Sequence, residues 1–289
     1  MASLKVGIFG ASGFIGSALR ELAQAAGHEV VCFSRQERPG YRIFREAGDL
    51  DGLDAVVNLA GQSVLGIWTP TRRREIRESR VRGTRRIVQA ISGGQSSVRV
   101  LVNASAIGFY GDTGDRAVEE SAPQGAGFLA GTCQAWEAAA QEAVLADVRV
   151  VCLRIGFVIG SGGAMKLVRP IFRMGLGGRL GSGKQWMSCI HVEDVAGMIL
   201  WVLHEKALCG PVNAVMREPV TNAEFTRAVA TSVHRPAVFP VPSFFLKTVL
   251  GDLSALLLDS SRVIPRVAQE FGYAYRFPTL PGALQSLAS

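Results

Sequence analysis

Three glycines near the start of the chain constrain its fold more than any other feature. Gly10, Gly13 and Gly16 lie in "GIFGASGFIG", which follows an apolar run at 4–10 and opens an amphipathic stretch at 14–26. In such a strand–turn–helix unit the first glycine permits the turn, the second lets backbone approach a pyrophosphate, and the third lets the helix pack on the strand. The free N–H groups at the helix N-terminus favour the anion. The spacing therefore predicts a dinucleotide-binding turn, and a tight bend without a ligand is the alternative.

Apolar runs alternate with helical stretches along the first two thirds of the chain. Runs rich in β-branched residues recur at 29–34, 54–61, 98–105 and 148–156, and helical stretches include 70–91 and 128–146. This alternation predicts an α/β fold, a Rossmann-type doubly wound parallel sheet, with a small C-terminal α/β lobe. We expect 1–160 to form the nucleotide-binding domain, with parts of 185–215 completing its sheet, and 161–289 to form substrate-side loops and the lobe. Thr221 and Glu224 have the spacing of a capping box.

Composition narrows the class of protein. The 289 residues are 48% hydrophobic and 19% charged, as in a folded globular chain. The net charge of +7 fits a phosphate-bearing cofactor as well as a nucleic acid. The five cysteines form no CxxC pair, which predicts reduced thiols in a cytoplasmic protein and no metal site. Because apolar runs are short and no signal-peptide pattern opens the chain, we expect no membrane partner.

The end of the second apolar run distinguishes the two nicotinamide cofactors. An acidic residue there would bond the ribose 2′-hydroxyl of NAD, but the sequence has Ser34 and Arg35. A guanidinium can pair with a 2′-phosphate and the serine can add a donor. The pair predicts NADP(H) rather than NAD(H), and a merely solvated Arg35 is the alternative.

Motifs over almost the whole chain resemble those of a known family. With the glycine turn, "NLAG" (58–61), a serine after the next strand and "HVEDVA" (191–196) resemble the extended short-chain dehydrogenases/reductases, which include NAD(P)-dependent epimerases and dehydratases. The atypical branch called epimerase family proteins has motifs similar to "SAIGFYGD" (105–112), "GSGKQWMSCIH" (181–191), "GPVNAV" (210–215) and "HRPA" (234–237). The resemblance implies an NADP(H)-binding, epimerase/dehydratase-like oxidoreductase with a small-molecule substrate that the sequence does not identify.

The resemblance also implies which residues contact the cofactor, and Ser105 falls where the family has its catalytic serine. "RVRGT" (80–84) is similar to the family's helix entry, with Arg80 where an asparagine usually stands. With Ser34 and Arg35 at the end of the second run, the predicted cofactor set is Gly10, Ser12, Gly13, Phe14, Ile15, Gly16, Ser34, Arg35, Leu59, Ala60, Gly61, Arg80, Ala104, Ser105, Ile155, Gly156, Phe157 and Val158.

One family feature is missing. Counted back from Glu137 of "WEAAA", Leu129 and Cys133 occupy the positions of the family's Tyr-x-x-x-Lys acid/base pair. Leucine cannot carry a proton, so Ser105 becomes the predicted catalytic residue, with Tyr110, Cys133, His191 or water as alternatives. The missing pair also leaves open a cofactor-binding regulatory or redox-sensing protein without turnover.

Residues 184–191 are the predicted substrate side. Met187 and Ser188 stand where nucleotide-sugar enzymes usually have an Arg-Asp pair, which weakens a nucleotide-sugar substrate. An amide and an indole between glycine-rich loops offer hydrogen bonding and stacking. The predicted substrate residues are Lys184, Gln185, Trp186 and His191.

Eight arginines lie between residues 72 and 86. Glu75 and Glu78 interrupt them, and no aromatic residues are interleaved to stack on bases. This pattern favours a solvated helix face, so we expect no nucleic-acid partner. A monomer or a homodimer fits the family resemblance equally well.

Overall fold

The computed structural model describes residues 2–93 and 96–287, and parallel strands organise them. The strands are β1 Lys5–Phe9, β2 Glu29–Ser34, β3 Arg42–Ile43, β4 Ala55–Asn58, β5 Val100–Ala106, β6 Arg149–Ile155, β7 Phe157–Ile159, β8 Trp186–Met187, β9 Cys189–His191, β10 Gly210–Ala214 and β11 Val220–Thr221. Seven of them form one sheet in the order β3-β2-β1-β4-β5-β6-β10, with every pair parallel. The predicted doubly wound α/β fold is confirmed, and its strand order reverses beside β1, which is where doubly wound folds have a crevice outside the carboxyl ends of the strands.

The remaining strands form two small sheets. β7 pairs with β9 in parallel, and β8 pairs with β11 antiparallel. Of the described strands within 185–215, β10 lies in the main sheet, whereas β8 and β9 lie in the small sheets. The reason lies at Gly156, after β6, where the main chain of Ser188 passes so closely that a Cβ would clash with its carbonyl. Phe157 N–H then donates to Ser188 O at 2.8 Å, which starts the smaller sheet.

Helices cover the main sheet and build the C-terminal lobe. They are α1 Phe14–Ala25, α2 Pro70–Ser92, α3 Phe128–Gln141, α4 Met165–Arg173, α5 Val192–His204, α6 Asn222–Ser232, α7 Ser243–Leu250, α8 Ala255–Leu258, α9 Arg266–Glu270 and α10 Leu280–Gln285. The predicted helix at 128–146 ends in a 3₁₀ turn, Glu142–Ala146. The capping box is confirmed, since Thr221 Oγ1 accepts from Glu224 N–H while the Glu224 carboxylate accepts from Thr221 N–H.

The main sheet is buried on both faces. Val57 and Val102 point into a cluster with α1 and α5, whereas Val56 and Leu101 point into a cluster with α2 and the end of α3. This alternation explains why the strands read as continuous apolar runs. Tyr273 of the C-terminal segment packs into the first cluster.

The C-terminal segment is tied to the sheet domain by a buried carboxylate. Asp194 accepts from the backbone N–H groups of Arg276 at 2.7 Å and Phe277 at 2.9 Å. Tyr273 donates its hydroxyl to Asp194 O at 2.9 Å. These bonds hold the end of the chain against the N-terminus of α5, so the lobe packs directly on the domain that forms the crevice.

Candidate functional site

The predicted cofactor residues converge on one edge of the main sheet. They follow or end β1, β2, β4, β5 and β6, and Arg80 reaches the same edge from α2. Parallel strands present their carboxyl ends on one side, where ligands bind in doubly wound folds. The structure therefore brings together residues that are separated by more than a hundred positions in sequence.

Two glycines of the first turn are required by packing. Gly10 has φ of 80°, and a Cβ there would lie 2.8 Å from the carbonyl carbon of Leu59. A Cβ on Gly16 would lie 2.7 Å from Ala11 Cα and still closer to Gly10 O. Neither backbone neighbour can move without opening the turn. The lack of a side chain at Gly10 thus lets the turn approach the end of β4, and the lack of one at Gly16 lets α1 pack on the turn.

Gly13 is less crowded than Gly10 and Gly16, although an added Cβ would still make one tight contact. Its φ is −77°, and the one described atom within 4 Å of an added Cβ is Gly10 O at 3.2 Å. Gly13 is also the N-cap residue of α1, and in the described part of the chain no side chain caps this helix. A helix N-terminus without a side-chain cap is a favourable site for a pyrophosphate. The turn fits the predicted dinucleotide.

The ring of Phe14 packs against a neighbouring loop instead of facing a ligand. Cβ atoms added to Gly162 and Gly163 would lie 2.5 and 3.0 Å from Phe14 ring carbons, and Gly160 is packed equally tightly. The ring therefore holds the loop 160–163 against the N-terminus of α1. Only the backbone of Phe14 is left to face a phosphate.

The surface at the end of β2, where the adenosine half of the cofactor is predicted to bind, is cationic. Arg35 is exposed after the end of β2, and Ser34 Oγ accepts from Gln36 N–H at 3.2 Å. The segment that follows forms an open depression of about 570 Å³, whose lining includes Arg38, Arg42 and Arg45 together with Glu37 and Asp49. A 2′-phosphate at the end of β2 would meet a local excess of guanidinium groups.

Arg80 brings a half-buried cation to the end of β4. Its Nη1 donates to Gln62 O and Ile76 O, each at 3.0 Å, and its guanidinium lies 5.1 Å from the centre of the Trp136 ring. A Cβ on Gly61 would lie 3.1 Å from the guanidinium carbon. Burial lowers the pKa of Arg80 below its ordinary value of 12.5, which still leaves the group charged at neutral pH.

Ser105 belongs to a buried polar network that sequence reasoning missed. Its hydroxyl donates to Glu137 Oε1 at 2.6 Å, and Arg154 donates to both carboxylate oxygens, at 2.9 and 2.8 Å. Arg154 also donates to Tyr110 Oη at 2.8 Å, and Tyr110 donates to Asn213 Oδ1 at 2.7 Å. The network joins β5, α3, β6 and β10 beneath the carboxyl edge of the sheet.

The network keeps its ion pair charged in the interior. Arg154 is 4% exposed, and burial opposes its charge, but the hydrogen bonds and the charge of Glu137 outweigh burial and raise the pKa of Arg154. Its guanidinium also lies 3.5 Å from the centre of the Phe109 ring. Burial raises the pKa of the Tyr110 phenol, which is therefore a neutral structural member of the network.

The two positions of the missing acid/base pair carry apolar or neutral groups. Leu129 packs in a cluster with Trp68 and Ile76. Cys133 is 5% exposed, and burial raises the pKa of its thiol to about 11. Ser105 lies within hydrogen-bonding reach of that thiol. Neither residue supplies a charged proton carrier at neutral pH.

The predicted substrate residues divide into two groups. Lys184 is exposed, and Trp186 lies beside the loop that leaves β5, where its Nε1–H donates to Asp115 Oδ1 at 3.1 Å and its ring lies 4.4 Å from the Arg262 guanidinium. Gln185 donates its amide protons to Leu180 O and Leu257 O at 3.0 and 3.1 Å. Its donors brace the loop instead of facing a ligand.

His191, predicted on the substrate side, lies in the interior at the start of α5. It is 3% exposed, and its Nδ1 accepts from Glu193 N–H at 3.3 Å as the N-cap of α5. Its Nε2 lies 3.0 Å from Ser286 Oγ, and its ring centre lies 3.9 Å from that of Phe277. Nδ1 therefore caps α5, while Nε2 and the ring contact the C-terminal segment. Burial lowers the pKa of His191.

Arginine side chains of helix α2 form hydrogen bonds and ion pairs with neighbouring residues. Arg86 Nη2 donates to Phe44 O and Arg45 O, and Arg72 Nη2 donates to Ser63 O at 2.7 Å. Ion pairs join Arg73 to Asp252, Arg82 to Glu78 and Arg85 to Glu142.

Within 2–93 and 96–287, no helix is long and apolar enough to cross a membrane, and no cluster of His, Cys, Asp and Glu is suited to a metal ion.

Comparison with known proteins identifies the family. The model of the "NAD dependent epimerase/dehydratase family" matches residues 6–213, and a "Domain of unknown function (DUF1731)" matches 241–287. The chain is 34% identical over 99% of its length to the "Epimerase family protein SDR39U1 homolog, chloroplastic" of Arabidopsis thaliana, 87% of which is covered.

Two solved structures are similar over 99% of the chain. The human epimerase family protein SDR39U1 (isoform 2), crystallised with NADPH, has a TM-score of 0.91 at 34% identity and is 99% covered. A nucleoside-diphosphate sugar epimerase from Corynebacterium glutamicum has a TM-score of 0.83 at 30% identity and is 58% covered. On the family model and these identities, the chain belongs to the NAD dependent epimerase/dehydratase family.

Proposed function

We propose that this protein binds NADP(H) at the carboxyl edge of the main sheet and acts there as an epimerase/dehydratase-like oxidoreductase on a small molecule. The observation that carries the proposal is the contrast within the first turn. A Cβ on Gly10 or Gly16 would overlap backbone atoms at 2.8 Å or less, whereas Gly13 stands at a helix N-terminus without a side-chain cap, and its Cβ would meet Gly10 O at 3.2 Å. The NADPH in the crystal of human SDR39U1, a protein of the same fold and family, supports the same cofactor.

The chain offers a contact for each part of the cofactor. The backbone of the turn from Ser12 to Ile15 would hold the pyrophosphate, and Ser34 and Arg35 would hold the 2′-phosphate. Arg80 beside Gly61 places a cation near the ribose of the nicotinamide half, and Ala104 with 155–158 would border the ring. When bound, the cofactor supplies or accepts a hydride.

Ser105 is the residue that we propose for hydrogen bonding to the reacting oxygen. Because its O–H already donates to Glu137, its oxygen lone pairs are the part that can accept a hydrogen bond from a substrate hydroxyl. Arg154 pairs with Glu137 and holds the carboxylate in place, so that the carboxylate fixes the serine rotamer. The network thus positions Ser105.

A cofactor-binding regulatory or redox-sensing protein without turnover is the second candidate, and the neutral pair Leu129 and Cys133 favours it. A screen for NADPH oxidation over a library of carbonyl compounds separates the two functions. The enzyme proposal predicts oxidation with at least one compound that disappears in the Gly13→Val variant. NADPH binding without any turnover above that control supports the second candidate.

The remaining assignments are proposals that rest on the sequence. We propose a boundary near residue 160 between the nucleotide-binding domain and the substrate-side lobe, a cytoplasmic location, no nucleic-acid partner, and a monomer or homodimer. The match of the second family model to residues 241–287 lies inside the proposed lobe. Light scattering on the purified chain measures the oligomeric state.

A further inference from the structure

Two segments of the C-terminal lobe combine exposed apolar side chains with positive charge. We call residues 165–181 and 235–250 the cationic apolar face. In sequence they contain six cations and no acidic residue: Lys166, Arg169, Arg173, Arg179, Arg235 and Lys247. They also contain nine large apolar side chains that are each at least 45% exposed: Leu167, Ile171, Met174, Leu176, Val238, Phe239, Phe244, Phe245 and Val249.

Hydrogen bonds make the two segments one surface. Val241 N–H donates to Arg179 O at 2.9 Å, and Gly181 N–H donates to Val241 O at 2.8 Å. Arg235 Nε donates to Arg173 O at 3.2 Å. Cβ atoms cannot be added to Gly178 because the main chain of Phe239 lies against it. The exposed residues of α4 and those around α7 therefore lie on either side of the line along which the two segments are hydrogen-bonded.

The exposure on α4 follows the helical repeat. Leu167, Ile171 and Met174, spaced by four and three residues, are 59%, 45% and 65% exposed, whereas Met165 and Phe172 are buried in the core of the lobe. The helix thus has one apolar row that packs inward and a second that faces solvent between cations. Contiguous apolar surface of this kind marks an interaction site.

We propose that the cationic apolar face binds the surface of an anionic lipid membrane. Apolar side chains would enter the boundary between headgroups and acyl chains, while the flanking lysine and arginine groups meet lipid phosphates. A second copy of this chain is a poorer occupant, because a twofold contact through this face would set six cations against six. The expectation of no membrane partner came from the short apolar runs, and this proposal departs from it, because a contact of this kind lies in the interface and needs no spanning helix.

The face also borders the cofactor crevice. Helix α4 follows the loop 160–163, which Phe14 holds against the N-terminus of α1. Membrane binding through this face would therefore bring the crevice close to the lipid surface. The arginine-rich helix α2 offers a contrast, because Glu75 and Glu78 interrupt its charge and its large apolar residues Ile76, Ile87 and Ile91 are buried.

Vesicle co-sedimentation of the full chain tests the proposal. We compare vesicles of phosphatidylcholine with vesicles that also contain phosphatidylserine, and expect at least about tenfold stronger binding to the anionic vesicles, weakened by salt. The variants Ile171→Asp with Phe244→Asp, and separately Lys166→Glu with Arg173→Glu, should each reduce that binding by at least about tenfold.

Two control variants change the same chemistry elsewhere. Leu145→Asp replaces an apolar side chain that is 93% exposed outside the face, and Arg82→Glu reverses an exposed charge on α2; both should bind anionic vesicles within about twofold of the unchanged chain. Thermal unfolding checks that each variant folds. Equal binding to both vesicle types, or equal loss in face and control variants, overturns the proposal. A dimer that the face variants convert to a monomer also overturns it and assigns the face to a second copy.

Discussion

Substitutions at Gly13 and Gly16 should separate cofactor binding from packing within one turn. An alanine Cβ at Gly13 meets only Gly10 O among the described atoms within 4 Å, at 3.2 Å, and the φ of −77° suits any residue. We expect Gly13→Ala to change the free energy of unfolding by no more than about 1 kcal/mol. At Gly16 the same atom would lie 2.7 Å from Ala11 Cα and closer to Gly10 O, so backbone must move, and we expect a cost of about 3 kcal/mol.

NADPH affinity should be more sensitive to substitution of Gly13 than of Gly16, the reverse of the order for stability. The branched side chain of Gly13→Val would fill the space beside the helix N-terminus and remove one or two hydrogen bonds to a charged group, each contributing about 1.5–3 kcal/mol. The expected loss of NADPH affinity is at least about 100-fold, or about 2.7 kcal/mol. Urea unfolding and NADPH fluorescence titration measure the two effects. Normal NADPH binding by Gly13→Val would refute the assignment of this turn to the pyrophosphate.

Three further substitutions test the buried groups around the site. Ser105→Ala should lower kcat by about ten- to a thousand-fold with little change in NADPH affinity, and an unchanged kcat would exclude a role for this hydroxyl. Glu137→Gln leaves the buried Arg154 without its carboxylate and should lower the free energy of unfolding by about 3–5 kcal/mol in urea; a loss below about 1 kcal/mol would contradict the buried ion pair. The pKa of His191 is lower in the folded chain than its ordinary 6.5, so its contribution to stability is full above that pH and declines as the pH falls through 6.5 toward the folded pKa. His191→Asn keeps an N-cap acceptor and should flatten this decline in thermal unfolding between pH 7.5 and about 5; an unchanged slope would assign the decline to other groups.

The elements that depend on neighbouring residues were predictable from sequence. The turn at Gly10, the five apolar strands and the capping box at Thr221 each depend on a few adjacent positions whose chemistry fixes local geometry. Ser34 and Arg35 were placed at the crevice because parallel strands end at a common edge. The strand order beyond β6 was not predictable, because the close approach of Ser188 to Gly156 is a tertiary contact.

The polar network was missed because its members are far apart in sequence. Tyr110 and Asn213 are 103 positions apart, and Glu137 served only to count back to the missing acid/base pair. His191 was predicted among the substrate residues 184–191, and its contact with Ser286, 95 positions away, was not foreseen. Residue type alone does not say whether a polar group meets a ligand or another part of the chain.

Parallel fluorescence titrations with NADPH and NADH measure whether the carboxyl edge of the main sheet selects NADP(H). If Arg35 and Ser34 hold the 2′-phosphate by charge-assisted hydrogen bonds, NADPH should bind at least about tenfold more tightly than NADH. Arg35→Asp should reverse the preference, while Arg82→Asp on α2 should leave it unchanged. Equal affinities of the unchanged protein for the two cofactors would contradict the account.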